Sequence, residues 1–364
     1  MSIIDYIEKY GNYSFLEFSF TEVDNIILSS LSYLNFIDIF KIRKKIFLKD
    51  AYLEYKNKKE EKKQFLASKH AFLIFEAISS KKRYKDIMLS NYVCIKDENQ
   101  QFSALSLKLT KNLVYVSFEG TDDLMSGWKE DFSLAYQFPV LAQERAVKYL
   151  NSYFTFKGSK IIVGGHSKGG NLALVASMYA NFLVRNKIIN IYNNDGPGLR
   201  KNEFLSKRYL KIKKKLIHII PHYSVVGLLL YHDDNYKIIK SKHSDIRAHD
   251  FLTWEVVNSN FKQYELSDFS KIISDSVFKW TEKYDDYKKK QMIESIFQIF
   301  DELNIDSYLD LFENKRLFFE VVKEASNLDK EAKDILLDLM SLIIEQFKSY
   351  EKEKIRGILP KIKK

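Results

Sequence analysis

Apolar residues near the start of the chain recur at helical spacing. A first group of such positions comprises Val23, Ile26, Ile27, Ser30, Leu31 and Leu34. A second group follows a charged run at residues 56–63 and comprises Ala71, Ile74, Phe75 and Ile78. Side chains spaced by three and four residues share one face of a helix, so the pattern predicts a mainly helical segment.

The pattern changes to short runs of β-forming residues after residue 85. Three runs, at 91–95, 102–109 and 113–118, are rich in β-branched and aromatic side chains. A polar turn at residues 97–100 separates the first two runs. Together they predict a hairpin or meander that enters a sheet.

Between residues 120 and 227, apolar runs alternate with helical segments. The predicted strands are 160–164, 188–192 and 215–220. The predicted helices are 143–153, 168–182 and 199–209. Ten of the twelve glycines and three of the four prolines also lie in this region, where they mark turns. Strands alternating with helices form parallel βαβ units, so the expected fold class is α/β with a mostly parallel sheet.

The helical period returns after about residue 260. One apolar stripe comprises Leu336, Leu339, Met340, Ile343 and Phe347, and such a stripe is typical of a face that packs on a neighbouring helix. We therefore expect a helical N-terminal segment packed on the core (1–85), an α/β core (86–258) and a helical C-terminal appendage (259–364).

The composition is that of a globular protein. The 364 residues are 46% hydrophobic and 29% charged, which excludes a mainly disordered chain. A single cysteine, Cys94, and the absence of Cys/His clusters with metal-ligand spacing argue against a disulfide scaffold or a zinc module, and no cofactor or metal is expected. With no recognisable leader or membrane-spanning apolar stretch, a cytoplasmic location is expected.

The net charge of +10 comes from 58 Lys and Arg against 48 Asp and Glu. The excess is concentrated in lysine-rich runs at 41–45, 207–215 and 352–364. No DNA- or RNA-binding signature accompanies these runs, so we interpret them as solvated surface and expect no nucleic-acid partner. Charge attraction to a membrane surface leaves a peripheral membrane contact open.

The sequence Gly165-His166-Ser167-Lys168-Gly169 fits the pattern G-x-S-x-G. This pattern is typical of a sharp strand-to-helix turn that exposes a nucleophilic serine in α/β hydrolases. A predicted strand precedes the motif and a helix of small and apolar residues follows it, as the turn requires. The sequence thus predicts an α/β-hydrolase fold with Ser167 as nucleophile.

A nucleophilic serine needs donors for the oxyanion of the tetrahedral intermediate. The N–H of Lys168 follows the serine directly, and Thr121, just after a predicted strand, is the candidate for the second donor. The apolar residues between 124 and 140, including Trp128 and Phe132, are interpreted either as a lid or acyl pocket or as ordinary core.

The serine also needs a base and an acid that orients it. In this fold the triad follows the order Ser, acid, His, which excludes His70 and makes His249 the first candidate and His243 the second. His218 lies within a predicted strand. Asp195, at the end of a predicted strand before a glycine turn, is the candidate acid; Asp233, Asp234, Asp245 and Asp250 remain alternatives.

Five motifs occur together in the chain: Gly120-Thr121-Asp122-Asp123, Gly127-Trp128-Lys129-Glu130-Asp131-Phe132, the decapeptide from Gly164 to Ala173, Asp195-Gly196-Pro197-Gly198, and His249-Asp250 with Trp254. Together they resemble the Mbeg-like proteins, bacterial lipase-like α/β hydrolases, and more distantly the class 3 (fungal-type) lipases.

The resemblance implies Ser167 as nucleophile, His249 as base and Thr121 as oxyanion residue, with Trp128 and Asp131 on a lid segment. Two positions depart from the lipase pattern. Glu119 stands where those lipases carry arginine, and their acid would align near Ser224. Either Asp195 supplies the acid from an earlier strand or the triad is incomplete.

The leading hypothesis is a serine hydrolase of carboxylic esters acting on acyl esters or lipids such as lysophospholipids. The alternative is a hydrolase-fold binding or scaffold protein that has lost efficient turnover and docks partners through its helical C-terminus.

Overall fold

The computed structural model of the chain describes residues 1–57, 66–97, 100–122, 125–305 and 314–358. Most of the predicted charged run at 56–63, the centre of the predicted turn at 97–100 and the last lysines of the C-terminal run lie outside the described residues.

Strands and helices are numbered here in chain order within the described residues. The strands are β1 (Lys45–Phe47), β2 (Met88–Asp97), β3 (Gln100–Thr110), β4 (Leu113–Phe118), β5 (Lys160–His166), β6 (Ile188–Asn194), β7 (Leu216–Pro221), β8 (Tyr236–Ile239), β9 (Val256–Val257) and β10 (Asn260–Phe261). The helices are α1 (Ile3–Tyr10), α2 (Glu22–Ser30), α3 (Ile37–Ile42), α4 (Leu48–Lys56), α5 (Leu66–Ser79), α6 (Met125–Ser133), α7 (Leu141–Phe154), α8 (Lys168–Tyr179), α9 (Phe182–Arg185), α10 (Lys201–Phe204), α11 (Lys207–Ile212), α12 (Asp268–Lys283), α13 (Asp286–Glu302), α14 (Lys315–Ala325) and α15 (Lys330–Ile358).

Strands β1 to β8 form one sheet in which the spatial order follows the chain order. The pairs from β1 to β4 are antiparallel, and the pairs from β4 to β8 are parallel. Crossovers between adjacent parallel strands are right-handed, so a sheet wound in one direction carries all its crossover helices on one face. The prediction of an α/β fold with a mostly parallel sheet is confirmed.

Side chains of the central strands alternate between the two faces of the sheet. Val114 and Val116 of β4 pack with the crossover helices α7, α8 and α11. Tyr115, between them, packs on the opposite face with α1, α2 and α5. The predicted N-terminal helices therefore cover the face that the crossover helices leave open.

A buried ion pair fixes α2 against the chain that follows α5. Arg83 Nη2 lies 2.6 Å from Asp24 Oδ2, and both side chains are fully buried. The hydroxyl of Tyr84 donates to Asp24 Oδ1 at 2.7 Å. Arg83 also donates to the carbonyls of Phe18 and Ser19, so its charge is hydrogen-bonded on several sides.

Two predicted helices differ in extent from those of the structure. The segment predicted over 199–209 forms α10 and α11, because the hydroxyl of Ser206 accepts from the N–H of Tyr209 and starts a new helix. The helix predicted over 168–182 ends at Tyr179 as α8, and Asn181 caps the separate helix α9. Strands β1 and β8, with three and four residues, have no clear periodicity and escaped prediction.

The C-terminal helices pack around Trp280, Ile293 and Phe297. On α15 the residues packed against this cluster are Ile335, Leu336, Leu339 and Leu342, while Met340 is 51% exposed. The predicted stripe is therefore rotated, and its assignment of Met340 to the packed face is wrong. Among the described residues, no helix has the length and apolar composition required to span a membrane.

Candidate active site

Ser167 lies in a sharp turn between β5 and α8. Its backbone angles are φ 56° and ψ −133°, a left-handed conformation that is strained for a non-glycine residue. A Cβ on Gly165 would lie 2.3 Å from the carbonyl carbon of Gly169, and one on Gly169 would lie 2.2 Å from the carbonyl oxygen of Phe118. Only glycine fits at either position, which explains the spacing of the motif.

Asp195 directly follows β6 in a second tight turn. Its φ is 51°, and its N–H donates to the carbonyl of Ile219 at 2.7 Å. The side chain of Asn193 closes the turn, because it accepts from the N–H of Gly196 at 2.9 Å and donates to the carbonyl of the same residue at 3.0 Å. The carboxylate of Asp195 is fully buried.

The Asp195 carboxylate accepts hydrogen bonds on both oxygens. Nδ1 of His249 lies 2.6 Å from Oδ2. The N–H of Gly227 donates to Oδ1 at 3.1 Å, and the hydroxyl of Ser224 also donates to Oδ1. Ser224, the position at which the lipase resemblance puts the acid, is thus a donor to a carboxylate that comes from the preceding strand.

The alternative acids have other partners or positions. Asp245 pairs with Arg247, and Asp233 accepts from Tyr209. Asp250 accepts from His70, and Asp234 is exposed. Of the five candidates, Asp195 is the one whose carboxylate bonds His249.

His249 stands on a short helical turn, Ile246–His249, that follows β8. Because a carboxylate accepts, the bond to Asp195 assigns the proton to Nδ1 and leaves Nε2 able to accept the proton of a hydroxyl. His249 and Ser167 line the same cavity. His243, the second candidate base, also lines it.

The cavity has a volume of about 950 Å³. Its apolar lining includes Leu66, Val225, Phe251 and Phe269. Trp128 lines it as well, as a pocket residue should, whereas Phe132 does not and instead packs its ring on Phe297, with centroids 5.6 Å apart. Helix α6, within the segment interpreted as lid, acyl pocket or core, therefore contacts both the cavity and the C-terminal helices.

The loop after β4 brings Thr121 beside the serine turn. A Cβ on Gly120 would lie 3.0 Å from Cβ of Ser167, so the two turns are in close contact. The hydroxyl of Thr121 donates to Oδ2 of Asp131 at 2.5 Å, and burial raises the pKa of Asp131 to about 6. Thr121 itself lines the cavity.

The side chain of Lys168 is buried beneath the turn. Its Nζ lies 2.8 Å from Glu130 Oε2 and 3.7 Å from Asp131 Oδ1, both on α6. Burial alone would lower the pKa of Lys168, but the two carboxylates outweigh it and raise that pKa. The sequence indicated a role only for the backbone N–H of Lys168 and gave no signal for this ion pair.

Glu119 belongs to a second ion-pair group. Its Oε1 lies 2.9 Å from Nζ of Lys96 on β2, which is also 3.4 Å from Asp122 Oδ2. Burial raises the pKa of the Glu119 carboxyl. Where the resembling lipases carry an arginine, this chain has an acid that pairs with a lysine from β2, two strands away from β4 in the sheet.

His70 also lines the cavity, and its Nδ1 lies 2.9 Å from Asp250 Oδ2. Asp250 follows His249 directly and accepts from the N–H of Leu252 at 3.0 Å. The contact ties the start of α5 to the segment that carries His249. Chain order excluded His70 as base but gave no indication of this role.

These features define an α/β protein with a serine turn next to a bonded His–Asp pair. A family model described as Mbeg1-like matches residues 78–298, more than half of the chain, and the protein belongs to this family. No curated protein matches the chain.

Two solved lipases are similar to the chain. M37 lipase is 15% identical with a TM-score of 0.36, covering 58% of this chain and 70% of the lipase. The Rhizomucor miehei lipase–propeptide complex is 13% identical with a TM-score of 0.38, covering 65% of this chain and 78% of the lipase.

Proposed function

We propose that the protein is a serine hydrolase of carboxylic esters. The observation that carries the proposal is the hydrogen bond of 2.6 Å between His249 Nδ1 and Asp195 Oδ2. His249 lines the same cavity as Ser167. A strained serine turn and a histidine oriented by a buried carboxylate are the two parts that activate a hydroxyl as nucleophile.

In the proposed reaction, Oγ of Ser167 attacks the ester carbonyl carbon while Nε2 of His249 takes the hydroxyl proton. Asp195 stabilises the resulting imidazolium. The N–H groups of Lys168 and Thr121 hold the oxyanion. When the tetrahedral intermediate collapses, the C–O bond to the alcohol breaks and His249 returns its proton to the leaving oxygen.

The acyl group then remains on Ser167 as an ester. A water molecule attacks its carbonyl carbon, and His249 takes a proton from that water. Collapse of the second intermediate releases the carboxylic acid and returns the proton to Ser167. Each step transfers one proton through His249, and the cycle requires no cofactor.

The cavity favours an ester with an apolar acyl group. About 950 Å³ is within the size of pockets that hold small-molecule ligands. Leu66, Val225, Phe251 and Phe269 would contact the chain. Acyl lipids with one chain, including lysophospholipids, fit this description, and they would be met at a membrane surface.

The test is turnover of p-nitrophenyl esters from acetate to palmitate by wild type, Ser167→Ala and His249→Ala. Ser177→Ala is the matched control, because it also removes a buried serine hydroxyl, one that lies within α8. We expect turnover by wild type and the control and none by the two site variants. A folded wild type that hydrolyses no ester would favour the binding or scaffold alternative.

A further inference from the structure

His166, the residue before the serine, contacts the residue that carries the proposed base. Its Nε2 lies 2.8 Å from the backbone carbonyl oxygen of His249. Its Nδ1 lies 2.9 Å from the hydroxyl of Tyr33. His166 is 4% exposed, and its ring centroid is 4.5 Å from that of His249.

The chemistry of the two partners assigns the protons of His166. A carbonyl oxygen only accepts, so Nε2 carries the hydrogen. Burial, followed by the nearby charge of His249, lowers the pKa of His166 to about 3, against smaller raising effects from Asp195 and the His249 carbonyl. The ring is therefore neutral near pH 7, Nδ1 is an acceptor, and the Tyr33 hydroxyl donates to it.

Tyr33 is itself held in place from several sides. It is 4% exposed and follows α2 in the short helix Leu31–Tyr33. Its ring lies 6.2 Å from that of Phe251. A Cβ on Gly120 would lie 2.2 Å from its hydroxyl oxygen, so the loop after β4 leaves the hydroxyl little room to move.

We propose that His166 is a positioning residue whose Nε2–H fixes the backbone of His249, and with it the imidazole, relative to Ser167. The proposal rests on the function proposed above. Asp195 orients the His249 ring through Nδ1, but the ring is carried by a turn that follows the sheet. The bond from His166 ties that turn to the residue adjacent to the nucleophile, and Tyr33 fixes the tautomer that can make it.

Substitutions can test the contacts of the two His166 nitrogens one at a time. In His166→Gln, the side-chain amide reaches approximately the position of Nε2 and can still donate to the His249 carbonyl. In His166→Asn, the shorter amide corresponds to Nδ1 and retains only the contact with Tyr33. His166→Phe keeps the ring and removes both contacts.

We expect His166→Phe and His166→Asn to lower kcat about a hundredfold with little change in KM, because a displaced base loses reactive geometry but not substrate contacts. His166→Gln should recover most of this loss, and Tyr33→Phe should lower kcat by a smaller factor. Urea unfolding of each variant separates these effects from stability. Equal losses in the Gln and Asn variants, or full kcat in His166→Phe, would overturn the proposal.

A second measurement needs no turnover. In ¹⁵N NMR spectra of the histidine rings, Nε2 of His166 should remain protonated and Nδ1 unprotonated from pH 8 to pH 4, and Tyr33→Phe should disturb this pattern. The opposite tautomer in wild type would refute the contact itself. A wild type with the expected tautomer but no ester turnover would instead refute the proposed hydrolase function.

Discussion

At the scale of single residues, the proposed acid is the most informative position. Asp195 follows β6 and accepts from His249, Ser224 and Gly227. The sequence predicted its location at a strand end before a glycine. The sequence did not predict the hydrogen bond from Ser224 to Asp195, because only the pairing of β6 with β7 brings these two residues together.

Asp195→Asn and Ser224→Ala should differ in effect. An amide at residue 195 removes the charge that supports the imidazolium, and we expect kcat to fall about 10⁴-fold. Ser224→Ala removes one hydrogen bond to a carboxylate that keeps the Gly227 donor, so kcat should fall only about tenfold. Steady-state kinetics on one p-nitrophenyl ester compares them. If Ser224→Ala were as damaging as Asp195→Asn, the carboxylate would not be the essential group.

Gly169→Ala tests the packing of the serine turn. The new Cβ would meet the backbone oxygen of Phe118 at 2.2 Å, and the turn or β4 must shift. We expect a loss of about 1–3 kcal/mol in the free energy of unfolding together with lost ester turnover. Gly158→Ala is the control, since nothing lies within 4 Å of its Cβ. Equal stability of the two variants in urea would contradict this account of the motif.

At the scale of elements, α6 is attached by ion pairs to Lys168, the residue after the proposed nucleophile. Lys168 at the start of α8 pairs with Glu130 and Asp131 of α6, and all three side chains are largely buried. The opposite side of α6 packs on α13 through Phe132. The helix is therefore held on two sides, one of them by a pair 38 residues apart that no local pattern indicates.

Lys168→Met should leave two buried carboxylates without their cation. We expect a loss of about 3–5 kcal/mol in the free energy of unfolding at pH 8. The pKa of Asp131 is raised to about 6 in the folded state, so protonation of Asp131 stabilises the folded state. This contribution to the free energy of unfolding is lost as the pH rises through about 6.

The loss in Lys168→Met should accordingly be smaller at pH 5, where Asp131 is protonated. Denaturant titrations at the two pH values measure this difference. Lys211→Met, an exposed lysine on α11, is the control. A loss that is the same at pH 5 and pH 8 would show that the Asp131 charge is not involved.

At the scale of the whole molecule, the sequence was sufficient for the class of fold and for the order of its central elements. Glycine turns and apolar runs identify β5, α8 and β6, because these elements are long and their periods are clear. Contacts between distant elements could not be predicted, since the bond between Tyr33 and His166 spans 133 residues. The division at residues 85 and 258 stays a prediction.

The buried imidazole of His218 should make the stability of the molecule depend on pH. Burial, followed by the charge of His232, lowers its pKa from 6.5 to about 3. The unfolded chain then binds a proton below pH 6.5 that the folded chain does not, so stability falls as pH decreases from 6.5 toward 3. At pH 5 this one group should lower the free energy of unfolding by about 2 kcal/mol.

His218→Gln should remove that part of the acid sensitivity. The difference in the free energy of unfolding between pH 7 and pH 5 should be about 2 kcal/mol smaller in the variant than in wild type, whatever the stability at pH 7. Urea unfolding measures both values. An unchanged difference would mean that His218 titrates normally in the folded protein.

The central claim is that Ser167 is an activated nucleophile. Its most direct test is the reaction of the wild-type protein with a fluorophosphonate, followed by mass spectrometry of the modified peptide. The account predicts modification at Ser167, slowed strongly in His249→Ala and Asp195→Asn. A folded wild type that remains unmodified, or is modified at another residue, would contradict it.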